Sequence, residues 1–313
     1  MMSRLKNERG QAFVVMTLSL AMIIGMAALA LDVGHWFRDK RRLQGTSDAA
    51  ALAGAQQLPD NPSGAKTMAL NYANMNGGDV AGADITISSK YQANDTITVN
   101  GRRNDSGMFT GLFGITNVNI TSHSKVRVGP PADALHVAPM VVYCGHSLIQ
   151  NCNDNHAPTF NVPTDLNYDP MGAPGAFGML DLSGQPNGTI GTSTEATWIS
   201  QGFDKYLGLG KYWSDPGAKF SGQPVQGALT ARLRTVLLFP VFKTLTGTGS
   251  TAQYDIIGWI GFYLTGFDVH GNSATLHGYF TQYIAEGILS QHAPGSGGVP
   301  SSFFGVRSIQ LVE

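Results

Sequence analysis

The stretch Ala12–Leu31, AFVVMTLSLAMIIGMAALAL, holds twenty residues without a charge. At the helical rise it would measure about 30 Å, the thickness of a bilayer's hydrocarbon core. Arg4, Lys6 and Arg9 precede it, and Arg38, Lys40, Arg41 and Arg42 follow it. Three basic residues against four leave the positive-inside rule without a decision on orientation. The run therefore predicts a single membrane-spanning helix carrying the rest of the chain on one side. A cleaved signal peptide is the competing reading, because Ala28-Leu29-Ala30 fits a small-x-small cut site. The length of the run favours a retained anchor. So does the helical register beyond it, where Trp36, Leu43 and Ala50 fall seven apart. Either reading exports the remainder.

The composition of that remainder excludes several classes. Gly is abundant at 39 residues and charged residues make up only 13%, a mix that fits a turn-rich β protein and not a disordered tail. Residues 1–46 hold seven basic and three acidic side chains, whereas 47–313 hold thirteen and eighteen, a net of −5. An acidic domain without a basic patch argues against nucleic acid as partner. The basic cluster near the N-terminus suits membrane lipid instead.

The organisation follows from breakers and periodicity. The helix should run to about Leu58, where Pro59 and Pro62 stop it. A second helical piece is expected over 65–74, then strands at 85–87 and 96–99, and an apolar turn at Met108–Phe113. A strand over 118–128 should put Val118, Ile120, Val126 and Val128 on one face, with Asn119, Thr121, His123, Lys125 and Arg127 on the other. Gly129-Pro130-Pro131 marks a boundary. The fold class read from this is α+β: an anchor and extended helix (1–58), a small pilin-like strand region (59–130), a linker (131–137) and a β-rich, sandwich- or barrel-like ectodomain (138–313). In the last, strands are expected at 139–143, 177–182, 236–242, 256–267, 276–284 and 306–312. The 256–264 run is apolar on both faces and should be central. A helix should open with a capping box at Thr192-x-x-Glu195 and stop at Gly202, and another should lie near 225–233.

Cys144 and Cys152 are the only cysteines, and an even count at tight spacing in an exported domain favours a disulfide. The two could also remain free thiols, or Cys144, His146, Cys152 and His156 could supply four zinc ligands, though not at the spacing of a known finger. Asn151–His156 could hold calcium, or be a polar turn. Trp198, Trp213 and Trp259 could form a glycan platform, but their apolar settings favour core packing. No nucleophile elbow, zinc-helix motif, phosphate-binding loop or EF-hand loop is present. No catalytic residue, cofactor or metal is therefore assigned, and the chain is read as non-enzymatic. Gly25, Ala27, Ala28 and Ala30 are the small residues by which the span could pack on partner helices.

The order Glu8-Arg9-Gly10-Gln11-Ala12, apolar span, Asp32-Val33-Gly34, Arg41-Arg42-Leu43-Gln44 and Ser47–Ala55 resembles the N-terminal module of Tad (Flp) pilus-assembly proteins of the TadE/TadG type. Leu112-Phe113-Gly114-Ile115-Thr116 resembles the segment that follows in such chains. The resemblance implies a bacterial inner-membrane protein, N-terminus cytoplasmic and bulk outside, whose partners are other pilus proteins. Two departures matter. Prepilin-like proteins carry Glu five residues after the cut, and a cut after Gly10 puts Val15 there, which argues against a major pilin. The nearest string to the Asp-x-Ser-x-Ser metal motif of larger relatives is Asp181-Leu182-Ser183-Gly184-Gln185, which lacks the last Ser. The resemblance thus implies a minor pilin or assembly component; the alternative is an anchored adhesin that binds glycan or protein through its β-rich domain.

Overall fold

A computed structural model describes residues 8–150, 152, 158–168, 178–185, 190–215, 219–271, 273–289 and 304–312, the side chains of 8–11, 113 and 250 excepted. The chain divides into two compact units: Met1–Ser88, Thr96–Val126 and Leu311–Glu313 form one, and Ser89–Asp95 with Arg127–Gln310 the other. Together they form a mixed α+β protein.

In the first unit, helix α1 (Glu8–Ala55) runs 48 residues unbroken. It ends three residues before the expected stop. Helix α2 (Pro62–Met75) starts three residues earlier than expected, because Pro62 occupies its first turn and Asn61 caps it, accepting from Gly64 N at 2.9 Å. Strands β1 (Ile85–Ser88), β2 (Thr96–Asp105) and β3 (Val118–Gly129) follow, in the order β1-β2-β3. The β1–β2 register pairs Ile85 with Val99 and Ile87 with Ile97. Alanines at 50, 51, 53 and 55 on α1 and 65, 69 and 73 on α2 are buried, so small side chains let the two helices approach closely. Strand β3 alternates as expected until its end. There Arg127, placed on the polar face by pattern alone and already part of the second unit with Tyr91, is buried, its guanidinium 4.7 Å from the Tyr91 ring centroid.

The second unit is built on strands β4 (Pro131–Ala134), β5 (Val142–Tyr143), β6 (Pro163–Tyr168), β7 (Leu180–Asp181), β8 (Gly210–Ser214), β9 (Val236–Thr246), β10 (Gln253–His270), β11 (Ser273–Thr281), β12 (Tyr283–Ile284), β13 (Gly287–Leu289) and β14 (Val306–Leu311). Seven form one sheet, in the order β5-β9-β10-β11-β6 with a β8–β7 branch on β10. The expected 139–143 strand is therefore only two residues long. The start of the 177–182 strand lies outside the described residues. The central role of 256–264 holds: β10 pairs with β9 on one side and β11 on the other. Strand β9 feeds two apolar clusters by simple alternation. Leu237, Phe239 and Val241 join one, with Ile260, Phe262, Leu276 and Phe280. Leu238 and Phe242 join the other, with Tyr254, Ile256 and Trp259. Burial on both faces explains its continuous apolar sequence.

Helices α3 (Thr192–Gln201) and α4 (Gln223–Ala231) supply Ile199, Val225 and Leu229 to the first cluster and Trp198 to the second. The expected capping box is not formed. Gly191 is the N-cap, Thr192 is already helical, and Glu195 turns into the interior, where it is buried. The Gly202 stop is formed, at φ +80°, a backbone setting that suits glycine.

Candidate functional site

The apolar run of α1 exposes its side chains: Phe13, Met16, Leu18, Met22, Ile23 and Ile24 are all more than half exposed. Among the described residues this is the one helix long and apolar enough to cross a membrane. The four small residues singled out from sequence do not share one face. Gly25 and Ala28 lie with Asp32, at spacings of three and four; Ala27 and Ala30 lie across the helix. Ala28 is buried and Gly25 half-buried, whereas Ala27 and Ala30 are exposed.

Where the run ends, charged residues turn inward. Asp32 is fully buried, and its carboxylate accepts from the backbone N–H groups of Met108 (2.8 Å), Phe109 (2.9 Å) and Thr110 (2.7 Å). One turn on, His35 Nε2 lies 3.1 Å from Asp105 Oδ2 and 3.6 Å from Asp39 Oδ2. Arg103 reaches Asp39 Oδ2 at 3.4 Å and Asp79 Oδ2 at 3.2 Å. His35, Asp39 and Asp105 hold their donor atoms within 4.8 Å of one another, a donor set that could suit a divalent cation. Two contacts oppose that use. Arg38 Nη2 lies 2.6 Å from His35 Nδ1, and a guanidinium only donates, so Nδ1 accepts and Nε2 carries the proton. Arg103 already occupies the Asp39 oxygen. The cluster is an ion-pair network that locks α1 to β2. Asp32 and the His35/Asp39 pair, four apart, were visible in sequence as polar residues at the end of an apolar run. Their partners at 103–110 were not, because nothing local encodes a contact across seventy residues.

In the second unit, Cys144 and Cys152 are joined by a disulfide with Cα atoms 4.9 Å apart, which removes both thiolates from the alternative zinc set. His156, and all of Asn151–His156 but Cys152, lie outside the described residues. His146 packs edge-on to Phe280 at 5.3 Å, and burial pushes its imidazole below the ordinary value. Asp181 Oδ1 accepts from Ser183 N and Oγ, the geometry of an Asx turn. Trp198 and Trp259 are buried, so the three tryptophans form no exposed platform.

Two polar clusters in this unit escaped the sequence reading. Glu195 is buried beside Asp215; loss of solvent, with the Asp215 carboxyl next in weight, pushes its carboxyl up to about 10. Lys219 Nζ sits 3.4 Å from Asp215 Oδ2 and donates to the Ile190 carbonyl, while Ile190 N donates to Asp215 Oδ1 at 3.3 Å. The group clasps the entry to α3. On the sheet surface, His277 Nδ1 lies 2.7 Å from Asp165 and Nε2 2.9 Å from Asp268, across three adjacent strands. Both hydrogen bonds, Asp165 first, raise its pKa. An open cavity of about 420 Å³ is lined in part by His136, Arg232, Tyr283 and Glu286. Its Arg232 is already spent on the Ser200 and Val236 carbonyls and Thr235 Oγ1.

No curated protein and no solved structure matches the chain. Residues 10–57 match the family described as putative Flp pilus-assembly TadE/G-like, a stretch that takes in the apolar run, Asp32, His35, Asp39 and the alanine-rich end of α1. The N-terminal segment of this chain is thus similar to the TadE/G-like pilus-assembly family, and the match ends at residue 57.

Proposed function

We propose that the chain is a non-enzymatic, low-copy component of a Tad/Flp pilus apparatus, a minor pilin or assembly protein. It is anchored once in the bacterial inner membrane, with its N-terminus cytoplasmic. The observation that carries this reading is the coincidence of the family match with an exposed apolar run that ends in a polar lock. Of the four small residues, Ala27 and Ala30 are the exposed pair available to partner helices. Val15 stands where an assembling prepilin would need Glu to neutralise a neighbour's terminal amine. Packing this helix in a fibre core would bury an unpaired charge, at a cost of several kcal/mol. The adhesin alternative draws no support from the tryptophans, since Trp198 and Trp259 are buried.

The test is to shear fibres from cells and count this protein against the major pilin by quantitative mass spectrometry. It should be rare in the fibre and abundant in membranes that resist alkaline extraction. Near-equal abundance along the shaft would sink the low-copy assignment. Replacing Ile23 and Ile24 with Arg should release or degrade the protein, because each charge costs about 2.5–3.5 kcal/mol at mid-span.

A further inference from the structure

Between β2 and β3 the chain reads Ser106–Thr116, SGMFTGLFGIT, with no charged residue. Met108, Leu112 and Ile115 are 78%, 85% and 43% exposed. This apolar loop does not wander: Asp32 holds it to α1 through three consecutive N–H groups. Gly107 makes the approach possible, since a Cβ there would fall 2.5 Å from Asp32 Oδ2.

We propose that the 108–115 loop is a second membrane contact, lying at the headgroup–acyl boundary beside the emerging helix with Met108, Leu112 and Ile115 in lipid. The inference rests on reading Ala12–Leu31 as a span. Depth comes first. Asp32 directly follows the last residue of the apolar run, so the loop is fixed at the level where hydrocarbon ends. Ala28, on the same face and about 6 Å deeper at the helical rise, is buried. Backbone satisfaction comes second. A loop at the edge of the hydrocarbon gains by pairing its own polar groups, since acyl chains offer none. Met108, Phe109 and Thr110 donate to Asp32; Leu112, Gly114 and Ile115 donate to the Phe109, Gly111 and Thr110 carbonyls. The arrangement is reciprocal, because a carboxylate at the boundary is itself costly unless it is bonded. The flank agrees: Phe37 is exposed one turn beyond, the place of an aromatic belt at the membrane interface. A lipid surface, not a protein partner, fits a patch that is continuous with the exposed span and offers apolar side chains without a charge.

The test uses the full chain in liposomes that contain acyl-chain nitroxide lipid. Because the native cysteines are bridged, a single cysteine placed by Leu112→Cys, Ile24→Cys or Met75→Cys can be labelled alone with an environment-sensitive dye. Met75 is an exposed apolar side chain elsewhere in the same unit and reports water. The Leu112 label should be blue-shifted and quenched several-fold more than the Met75 label. Adding Asp32→Ala should weaken quenching at Leu112 and leave that at Ile24 unchanged. A Leu112 label that behaves like Met75 while Ile24 is quenched would overturn the loop contact and spare the span. A blue-shifted but unquenched Leu112 label would mean protein covers the loop and would overturn lipid as the occupant. An unquenched Ile24 label would overturn the span, and the proposal with it.

Discussion

Gly54 of α1 lies directly against Ile97 of β2: a Cβ added to Gly54 would fall 2.6 Å from Ile97 Cδ1 and 2.8 Å from the Ala65 carbonyl oxygen. Neither neighbour can give way cheaply, since Ile97 is fully buried and Ala65 is helix backbone. Gly54→Ala should therefore destabilise the first unit by about 1–3 kcal/mol, the usual cost of overpacking. Gly45, nine residues earlier on the same helix, is exposed with nothing within 4 Å. There the same change should stabilise by about 0.5–1 kcal/mol through helix propensity. Denaturant unfolding of the two variants should move in opposite directions. Equal shifts would show that α1 does not pack on β2 as described.

Glu195 should make the second unit less stable as pH rises. Its carboxyl is held neutral up to about 10 in the folded chain and ionises at the ordinary value near 4.3 when unfolded. The folded state therefore binds the extra proton between those values, and stability falls as pH rises through them. Glu195→Gln keeps the shape and a donor for Asp215 but removes the titration. The variant should match wild type near about pH 4 and exceed it by on the order of a kcal/mol or more at about pH 8. Parallel melting-temperature curves for the two proteins across that range would contradict a buried neutral acid.

His277 works at lower pH. Its pKa is raised by Asp165 and Asp268, so its contribution is complete below the ordinary imidazole value and is lost as pH rises through the folded one. The melting temperature of wild type minus that of His277→Gln should be positive near about pH 6 and shrink by about pH 8.5. The residue is partly exposed, so the difference should be small and reduced further by salt. An NMR titration that finds the His277 midpoint at or below the ordinary value would refute the pairing.

The Cys144–Cys152 bridge closes a short loop, and a loop that size should contribute about 2–3 kcal/mol by restricting the unfolded chain. Protein purified without reductant should therefore show no free thiol, and Cys152→Ser should lower the melting temperature. Two titratable thiols in native protein would dismiss the bridge.

How much was legible in the sequence depended on whether the signal was local. The apolar run, the stop at Gly202, the β3 alternation and the doubly apolar centre of β10 all follow from periodicity and turn chemistry within a dozen residues. Thr192-x-x-Glu195 misled because its spacing matches a capping box, while in the fold Glu195 is buried as a neutral acid beside Asp215. Arg127 misled in the same way, since alternation cannot foresee that Tyr91 will cover it. The polar lock at the end of the span was half legible. Asp32, His35 and Asp39 sit at helical spacing, but Arg103, Asp105 and the Met108–Thr110 amides come from a loop and strand seventy residues away.

The unbroken length of α1 has a mechanical consequence. With Ala12–Leu31 in a bilayer as proposed, the remaining stretch to Ala55 is a rod of about 36 Å at the helical rise, and no proline interrupts it. Such a rod is a lever whose fulcrum is the lipid boundary. A 10° change in span tilt, well within the observed range for single helices, would carry Ala55 sideways by about 6 Å. Leu43, Ser47, Ala50 and Ala51 are buried along that rod, so the first unit would travel with it as cargo. Any partner that leans on the span inside the membrane would thereby move a protein surface tens of ångströms outside it.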